Sequence, residues 1–166
     1  MDCKKVKVYI DGANVFYTQK RLGWVIDWSK VKDFIAESKE VLEWKYYVGI
    51  KRNDQKMQKY LRYLDAINFN LFTKYLKKIK TGDNSFVYKA NLDVEMTTDI
   101  LLDKSNLDQI IIFSGDSDFN YLVKKIKSIG RDVVVFSSRK TLSWELKLKA
   151  SKVVYLEDIK GKIARE

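Results

Sequence analysis

The sequence predicts a three-layer α/β/α sandwich built on a central, mainly parallel sheet. Apolar segments of strand length alternate with amphipathic segments of helix length along the whole chain. The segments at residues 110–113 and 133–136 are apolar without interruption, which is typical of strands that helices cover on both faces. A chain of 166 residues with 46% hydrophobic residues is long enough to bury such a core. We therefore expect an α/β fold.

The segments follow one another in a regular order. Strands are expected at residues 6–10, 43–50, 68–76, 109–113, 132–136 and 152–156. Helices are expected at residues 13–21, 27–39, 53–64, 91–102, 119–130 and 141–150 because apolar residues recur there at helical spacing. Asp27 or Ser29 is suited to cap the second helix, and residues 80–85 have the composition of a turn. We expect a single domain over residues 1–166, with a tail from about residue 157 that could be peripheral.

Composition excludes several kinds of chemistry. The chain has no histidine and a single cysteine, so Ser-His-Asp hydrolysis, histidine-ligated zinc and internal disulfides are ruled out within it. Its apolar runs are far shorter than a membrane span, and we expect a cytoplasmic protein that does not bind membranes. Any chemistry must therefore use carboxylates, hydroxyls, amides, lysines or a metal ion.

The net charge of +10 is concentrated in one part of the chain. Residues 45–80 contain ten basic and two acidic residues, including Lys51, Arg52, Lys74, Lys77 and Lys78. Aromatic residues are interleaved with them, namely Trp44, Tyr46, Tyr47, Tyr60, Tyr63, Phe69, Phe72 and Tyr75. Basic and stacking side chains together are typical of surfaces that bind single-stranded nucleic acid. The alternative is that the aromatic residues belong to the core and the lysines only solvate a helix.

Acidic residues follow two of the predicted strands directly. Asp11 comes after the first strand, and Asp116 and Asp118 come after the strand at residues 109–113. Ligands of open parallel sheets bind beyond the carboxyl ends of the strands. Because alternate residues of an extended chain point to the same side, Asp116 and Asp118 could face one point. We expect Asp93, in the first turn of a helix, to join them.

Neutral polar residues and glycines lie beside these acids. Gly12 and Gly115 would let the backbone approach a ligand closely, while Asn14, Ser114 and Ser117 add oxygen atoms or hydrogen-bond donors. Acids close enough to share a site repel one another, so a cation must neutralise them or some must stay protonated. A set of oxygen ligands without histidine or cysteine suits Mg²⁺ or Mn²⁺.

Each acid also has a purely structural interpretation. Asp118 could cap the helix at residues 119–129, Asp11 could belong only to a turn, and Asp93 could only complement a helix dipole. Glu95 and Asp99 lie elsewhere on the helix of Asp93, and the pattern leaves their role open.

Three stretches in this order and spacing resemble the NYN domain of the PIN-like nuclease superfamily, and within it the LabA-like bacterial group. They are VYIDGANVF (residues 8–16), KANLDVEMTTDIL (89–101) and SGDSDFNYLV (114–123). The resemblance implies a PIN-like, Rossmannoid fold and a metal-dependent ribonuclease activity. It implies that Asp11, Asp93, Asp116 and Asp118 bind the metal. It also matches Asn14 to an asparagine of the first motif, Asp99 to a further acid, and Lys89 to a basic residue suited to contacting phosphate.

These observations give the hypothesis of an endoribonuclease that depends on Mg²⁺ or Mn²⁺. Asp11, Asp93 and Asp116 would hold the metal, Asp118 would ligate directly or through water, and the basic residues would hold the RNA. The main alternative is a non-catalytic RNA-binding or regulatory module on the same fold. A phosphatase with Asp11 as nucleophile is disfavoured because Ala13 stands where a second acid is needed, and a scaffold with a structural cation also stays open. The basic tail could serve a homodimer or a bound strand equally well.

Overall fold

Eight strands and seven helices alternate along residues 3–166, which are the residues that this computed structural model describes. The strands are β1 (Lys4–Asp11), β2 (Lys39–Ile50), β3 (Asn70–Tyr75), β4 (Lys77–Lys80), β5 (Phe86–Lys89), β6 (Gln109–Phe113), β7 (Asp132–Ser137) and β8 (Lys152–Tyr155). The helices are α1 (Gly12–Leu22), α2 (Trp28–Ala36), α3 (Gln55–Ala66), α4 (Asp93–Leu102), α5 (Asn120–Ser128), α6 (Trp144–Lys149) and α7 (Lys160–Ile163). Short 3-10 turns lie at Ser117–Phe119 and Leu156–Ile159.

Six of the strands form one parallel sheet in the order β3-β2-β1-β6-β7-β8. The chain begins near the middle of the sheet, builds outward to β3 and then continues from β6 to the opposite edge. The order reverses between β1 and β6, so their carboxyl ends flank the crevice where ligands of such sheets bind. The α/β fold with a central parallel sheet, predicted from the sequence, is confirmed.

Alternate residues of the central strands supply the cores on the two faces of the sheet. Ile111 and Phe113 of β6 pack in the first core with side chains of α1, α2, α3 and α7. Ile110 and Ile112 pack in the second core with α4, α5 and α6. This follows from the two-residue period of a strand, and it explains why residues 110–113 of β6 are all apolar.

Trp28 anchors the first core. Asp27 caps α2 by accepting hydrogen bonds from the amides of Ser29 and Lys30, at 3.0 and 3.2 Å, and so fixes the start of the helix. The Trp28 ring is fully buried, and its Nε1 donates a hydrogen bond of 2.7 Å to the Tyr60 hydroxyl. The burial of a polar indole N–H is thereby compensated.

Three strands differ most from the predicted elements. Strand β2 begins at Lys39, four residues before the predicted start at residue 43, because its first residues pair with the exposed beginning of β1. Strands β4 and β5 form an antiparallel hairpin that the sequence did not predict, and only its turn was recognised. Each of its strands has four residues, all exposed, so no buried periodicity marked it.

The tail after residue 157 is tied to the first core. Ile163 is fully buried, and its carbonyl accepts a hydrogen bond of 2.8 Å from the Asp27 amide. Arg165 donates from its amide to the Val25 carbonyl at 2.9 Å. Among residues 3–166, no helix combines the length and the apolar character needed to cross a membrane.

Candidate active site

The carboxyl ends of β1 and β6 bring the first acidic residues together. The two strands are adjacent and parallel, with Ile10 opposite Phe113. Asp11 is the last residue of β1, and Asp116 lies three residues beyond the end of β6. Asp93 is the first residue of α4. Its amide N–H donates a hydrogen bond of 2.7 Å to the side-chain oxygen of Asn91. Residues that are far apart in the sequence thus meet at one edge of the sheet.

Three carboxylates form a tight group at this edge. Asp93, Asp116 and Asp118 each offer one oxygen atom, and these atoms all lie within 4.8 Å of one another. Asp93 and Asp116 are partly buried, and Asp118 is exposed. It is the only such cluster of potential metal ligands within residues 3–166.

The local backbone differs from the one that was expected to align Asp116 with Asp118. The two residues do not continue an extended strand; the chain enters the 3-10 turn Ser117–Phe119. Asp116 caps this turn by accepting a hydrogen bond of 2.9 Å from the Asp118 amide. Helix α5 follows with Phe119 at its N-cap position and no side-chain cap hydrogen bond, so the structural interpretation of Asp118 as the cap of this helix was wrong.

Asp11 connects the site to its support. It is nearly buried, and its two oxygens accept hydrogen bonds from the Asn14 amide (3.1 Å) and the Ser114 hydroxyl (2.9 Å). Ser114 Oγ in turn accepts from the Asp116 amide at 3.1 Å. The Asn14 side-chain oxygen accepts from the Gly115 amide at 2.9 Å. Asp11 is thus held rigidly, but it lies outside the tight group of three.

The pKa values of two carboxyl groups in the site, those of Asp11 and Asp93, are raised. Burial raises the pKa of Asp11 to about 6, against the hydrogen bonds from Asn14 and Ser114, and the charges of Asp93 and Asp116 add to the increase. Burial also raises the pKa of Asp93, and the nearby charges of Asp116 and Asp118 act in the same direction. Negative charge is therefore costly here unless a cation neutralises it.

The structure also places the remaining acids of α4 and the second serine. Asp99 accepts a hydrogen bond of 2.6 Å from the Tyr47 hydroxyl, so its carboxylate is already engaged. Glu95 forms an ion pair with Lys74. Ser117 is exposed on the 3-10 turn. None of these three belongs to the tight acidic group.

A cleft of about 160 Å³ opens beside the acids. Asp11, Asp93 and Asp116 line it, together with Gly49 and Lys89. Lys89 is the last residue of the hairpin strand β5, so the hairpin ends at the cleft. The other basic residues singled out in the sequence, Lys51, Arg52, Lys74, Lys77 and Lys78, are exposed.

Most aromatic residues interleaved with the basic stretch belong to the core. Trp44, Tyr46, Tyr47 and Phe69 are buried, and Phe69 stacks on Trp44 with ring centroids 5.2 Å apart. Tyr75 is the exception and is exposed. The exposed aromatic residues next to the basic surface are instead Phe86 and Tyr88 of β5, which the sequence reasoning missed. The signal was a Phe-Val-Tyr run directly after a turn.

Gly115 is needed for the close packing of the loop that carries Asp116. A Cβ at this position would lie 2.4 Å from the Thr141 carbonyl oxygen and 2.9 Å from the Leu142 Cα, both backbone atoms. We expect Gly115→Ala to lower the free energy of unfolding by about 1–3 kcal/mol, the usual cost of overpacking. Chemical denaturation measures this, with Gly161→Ala as the control because a Cβ there meets open space. Equal stability of the two variants would contradict the argument.

Comparison with known proteins agrees with this geometry. A family model for the NYN domain matches residues 5–157. The chain belongs to the NYN domain family. It is 27% identical to the Low amplitude and bright protein LabA of Synechococcus elongatus, over 97% of this chain and 88% of that protein. Its fold is similar to the crystal structure of a Vibrio parahaemolyticus protein of unknown function, with a TM-score of 0.81 and 25% identity over 98% of this chain and 97% of the other.

NYN domains form a nuclease family, and this chain has an acidic cluster at the edge where its β1 and β6 end. The match begins in β1 and ends after β8, so it includes every acidic residue described above. The resemblance to this family, proposed from three short motifs, is confirmed.

Proposed function

We propose that this NYN domain is an endoribonuclease that depends on a divalent metal and hydrolyses phosphodiester bonds of RNA. The observation that carries the proposal is the group of three carboxylate oxygens, from Asp93, Asp116 and Asp118, within 4.8 Å of one another. Membership of a nuclease family supports the same activity. The basic residues around the cleft supply the charge that a polyanion requires.

The donor atoms fit a hard divalent cation. All three are carboxylate oxygens, which Mg²⁺ and Mn²⁺ prefer, and the site has no nitrogen or sulfur ligand. When bound, such an ion stabilises the negative charge that develops on a phosphodiester. Burial is the main cause of the raised pKa of Asp93, and a bound cation would relieve the repulsion from Asp116 and Asp118 that adds to it.

The protein groups around the three carboxylates have distinct roles in this proposal. Asp11 lines the cleft together with Asp93 and Asp116, and in this proposal its carboxylate would accept a proton from the attacking water. Asn14 and Ser114 hold both of its oxygens and so fix its orientation. Lys89 lines the cleft and would contact a phosphate, while the exposed Lys51, Arg52, Lys77 and Lys78 would hold the flanking strand. Lys74 contributes less because it is paired with Glu95.

Incubation of the purified protein with end-labelled RNA tests the proposal. We expect internal cleavage products with Mn²⁺ or Mg²⁺ and intact RNA with EDTA. Cleavage that is equally fast in EDTA would contradict the metal-dependent mechanism, and intact RNA under every metal condition would contradict the nuclease activity itself.

A non-catalytic RNA-binding or regulatory role on the same fold is the second candidate. It is favoured by the structural roles of two of the acids, since Asp11 caps α1 and Asp116 caps a 3-10 turn whether or not a metal binds. This role predicts RNA affinity that decreases steeply with salt but does not change when Asp93 is replaced by asparagine. Such affinity without any cleavage would select this candidate.

A further inference from the structure

We propose that the β4–β5 hairpin is a platform for an unpaired strand of nucleic acid, on which the rings of Phe86 and Tyr88 stack against bases. The inference rests on the proposed function, because it names the form of nucleic acid that is delivered to the acidic site. It concerns a surface that the acidic cluster does not include.

The pairing of the hairpin places both rings on one face. Lys78 lies opposite Tyr88, and Lys80 lies opposite Phe86. Directly paired residues of antiparallel strands project to the same side, and so do residues two apart in one strand. One face therefore carries two aromatic rings and two lysines, and the other face carries Lys77, Ile79, Val87 and Lys89.

Both rings are available to a ligand. Phe86 is 48% exposed and Tyr88 is 50% exposed, and neither belongs to either core cluster. A contiguous exposed apolar patch with a polar rim is typical of an interaction site.

Charge decides the kind of ligand. The Lys78 ammonium lies 4.0 Å from the centroid of the Phe86 ring, and that of Lys51 lies 4.8 Å from the centroid of Tyr88. The segment from Lys77 to Lys89 contains four lysines and only one acid, Asp83. A second copy of this chain would present the same positive surface and be repelled, whereas a phosphate backbone is attracted.

The combination of rings and lysines selects an unpaired strand. Bases of a duplex are stacked on each other and offer no free face, but bases of a single strand stack readily on aromatic side chains. Lysines beside the rings then neutralise the phosphates that connect those bases. The hairpin therefore distinguishes single strands from duplexes without reading a particular sequence.

The base of the hairpin joins this platform to the acidic cleft. Strand β5 ends at Lys89, which lines the cleft together with Asp93 and Asp116. A Cβ at Gly49 would lie 2.8 Å from Leu76 and 2.9 Å from Ala90, so the base of the hairpin packs directly on the end of β2. Lys89 projects from the face opposite to the rings, so a strand stacked on Phe86 and Tyr88 would reach the carboxylates by passing around the end of β5.

The experiment measures binding in EDTA, where no cleavage occurs, by fluorescence anisotropy of a labelled single-stranded RNA and of the same RNA in a duplex. We expect Phe86→Leu and Tyr88→Leu each to weaken single-strand binding on the order of tenfold, and the double variant on the order of a hundredfold. The duplex affinity should not change. The leucine variants remove no charge, so the logarithm of their single-strand affinity should depend on the logarithm of the salt concentration with the wild-type slope. Lys78→Gln removes one positive charge and should make this slope less steep.

Two further variants separate stacking from folding. Phe86→Tyr and Tyr88→Phe keep both rings, so together they should retain wild-type affinity. Phe16→Leu is the matched control, because Phe16 is also exposed and also lies beside a lysine, with Lys20 4.6 Å from its ring centroid, but on α1. The Phe16→Leu variant should bind the single-stranded RNA with wild-type affinity.

The outcomes distinguish this inference from the proposed nuclease activity. Wild-type single-strand affinity in the Phe86→Leu/Tyr88→Leu variant overturns the inference, as does an equal loss for single strand and duplex. Either result leaves metal-dependent cleavage by the wild type untouched. Conversely, ring-dependent single-strand binding by a protein that cleaves no RNA supports the platform and contradicts only the nuclease proposal.

Discussion

Asp116→Asn is expected to reduce RNA cleavage at least about a hundredfold while the protein stays folded. The variant removes one of three carboxylates that lie within 4.8 Å of one another, and with it a ligand of the proposed metal. Loss of the metal removes several kcal/mol of transition-state stabilisation, which corresponds to at least a hundredfold in rate. Initial rates of cleavage of a labelled RNA at saturating Mn²⁺ measure the effect.

The same substitution should not destabilise the protein without metal. Asparagine keeps the oxygen that accepts from the Asp118 amide, so the cap of the 3-10 turn is retained. Removal of one charge also relieves repulsion on Asp93. Thermal unfolding in EDTA should therefore give a midpoint no lower than that of the wild type. Asp33→Asn, which neutralises an exposed carboxylate on α2, is the matched control and should cleave normally. Equal activity of Asp116→Asn and Asp33→Asn would contradict the metal site.

Asp11 is expected to make the metal-free protein less stable as the pH rises from about 4 to about 6. Its pKa is raised to about 6 in the folded protein, from 3.8 as the ordinary value, so the folded state binds the proton more tightly than the unfolded state. Stability that depends on this proton is present below pH 4 and is lost as the pH passes 6. The difference of about two pKa units corresponds to about 3 kcal/mol.

The comparison with Asp11→Asn isolates this effect. The variant has no titrating group at this position, and asparagine is a good helix cap that can still accept from the Asn14 amide. Urea unfolding in EDTA measures the free energy of unfolding of both proteins. The difference in this free energy, variant minus wild type, should increase by about 3 kcal/mol between pH 4 and pH 7. Other acids, such as Asp103, whose pKa is lowered, titrate in both proteins and cancel. A stability difference that does not change with pH would contradict the raised pKa.

The sequence predicted the sheet because its central strands are buried on both faces. An uninterrupted apolar segment such as residues 110–113 permits few other structures, and short loops between strands and helices fix the parallel order. The acids at the ends of β1 and β6 could be placed together for the same reason.

The finer geometry depends on contacts that no sequence pattern contains. Asp116 and Asp118 converge through a 3-10 turn and a side-chain cap, not through strand alternation. Asp11 lies outside the tight group, and it accepts a hydrogen bond from Ser114, which becomes its neighbour only on folding. The hairpin escaped prediction because its strands are short and exposed, so that neither burial nor periodicity distinguishes them from a loop.

Anomalous diffraction from a crystal soaked in Mn²⁺ tests the shared metal site most directly. We predict a peak about 2.0–2.6 Å from oxygen atoms of Asp93, Asp116 and Asp118, the range for hard cations on carboxylates. The peak should disappear in crystals of Asp116→Asn. A peak elsewhere, or none at this position at a Mn²⁺ concentration that supports cleavage in solution, would contradict the account.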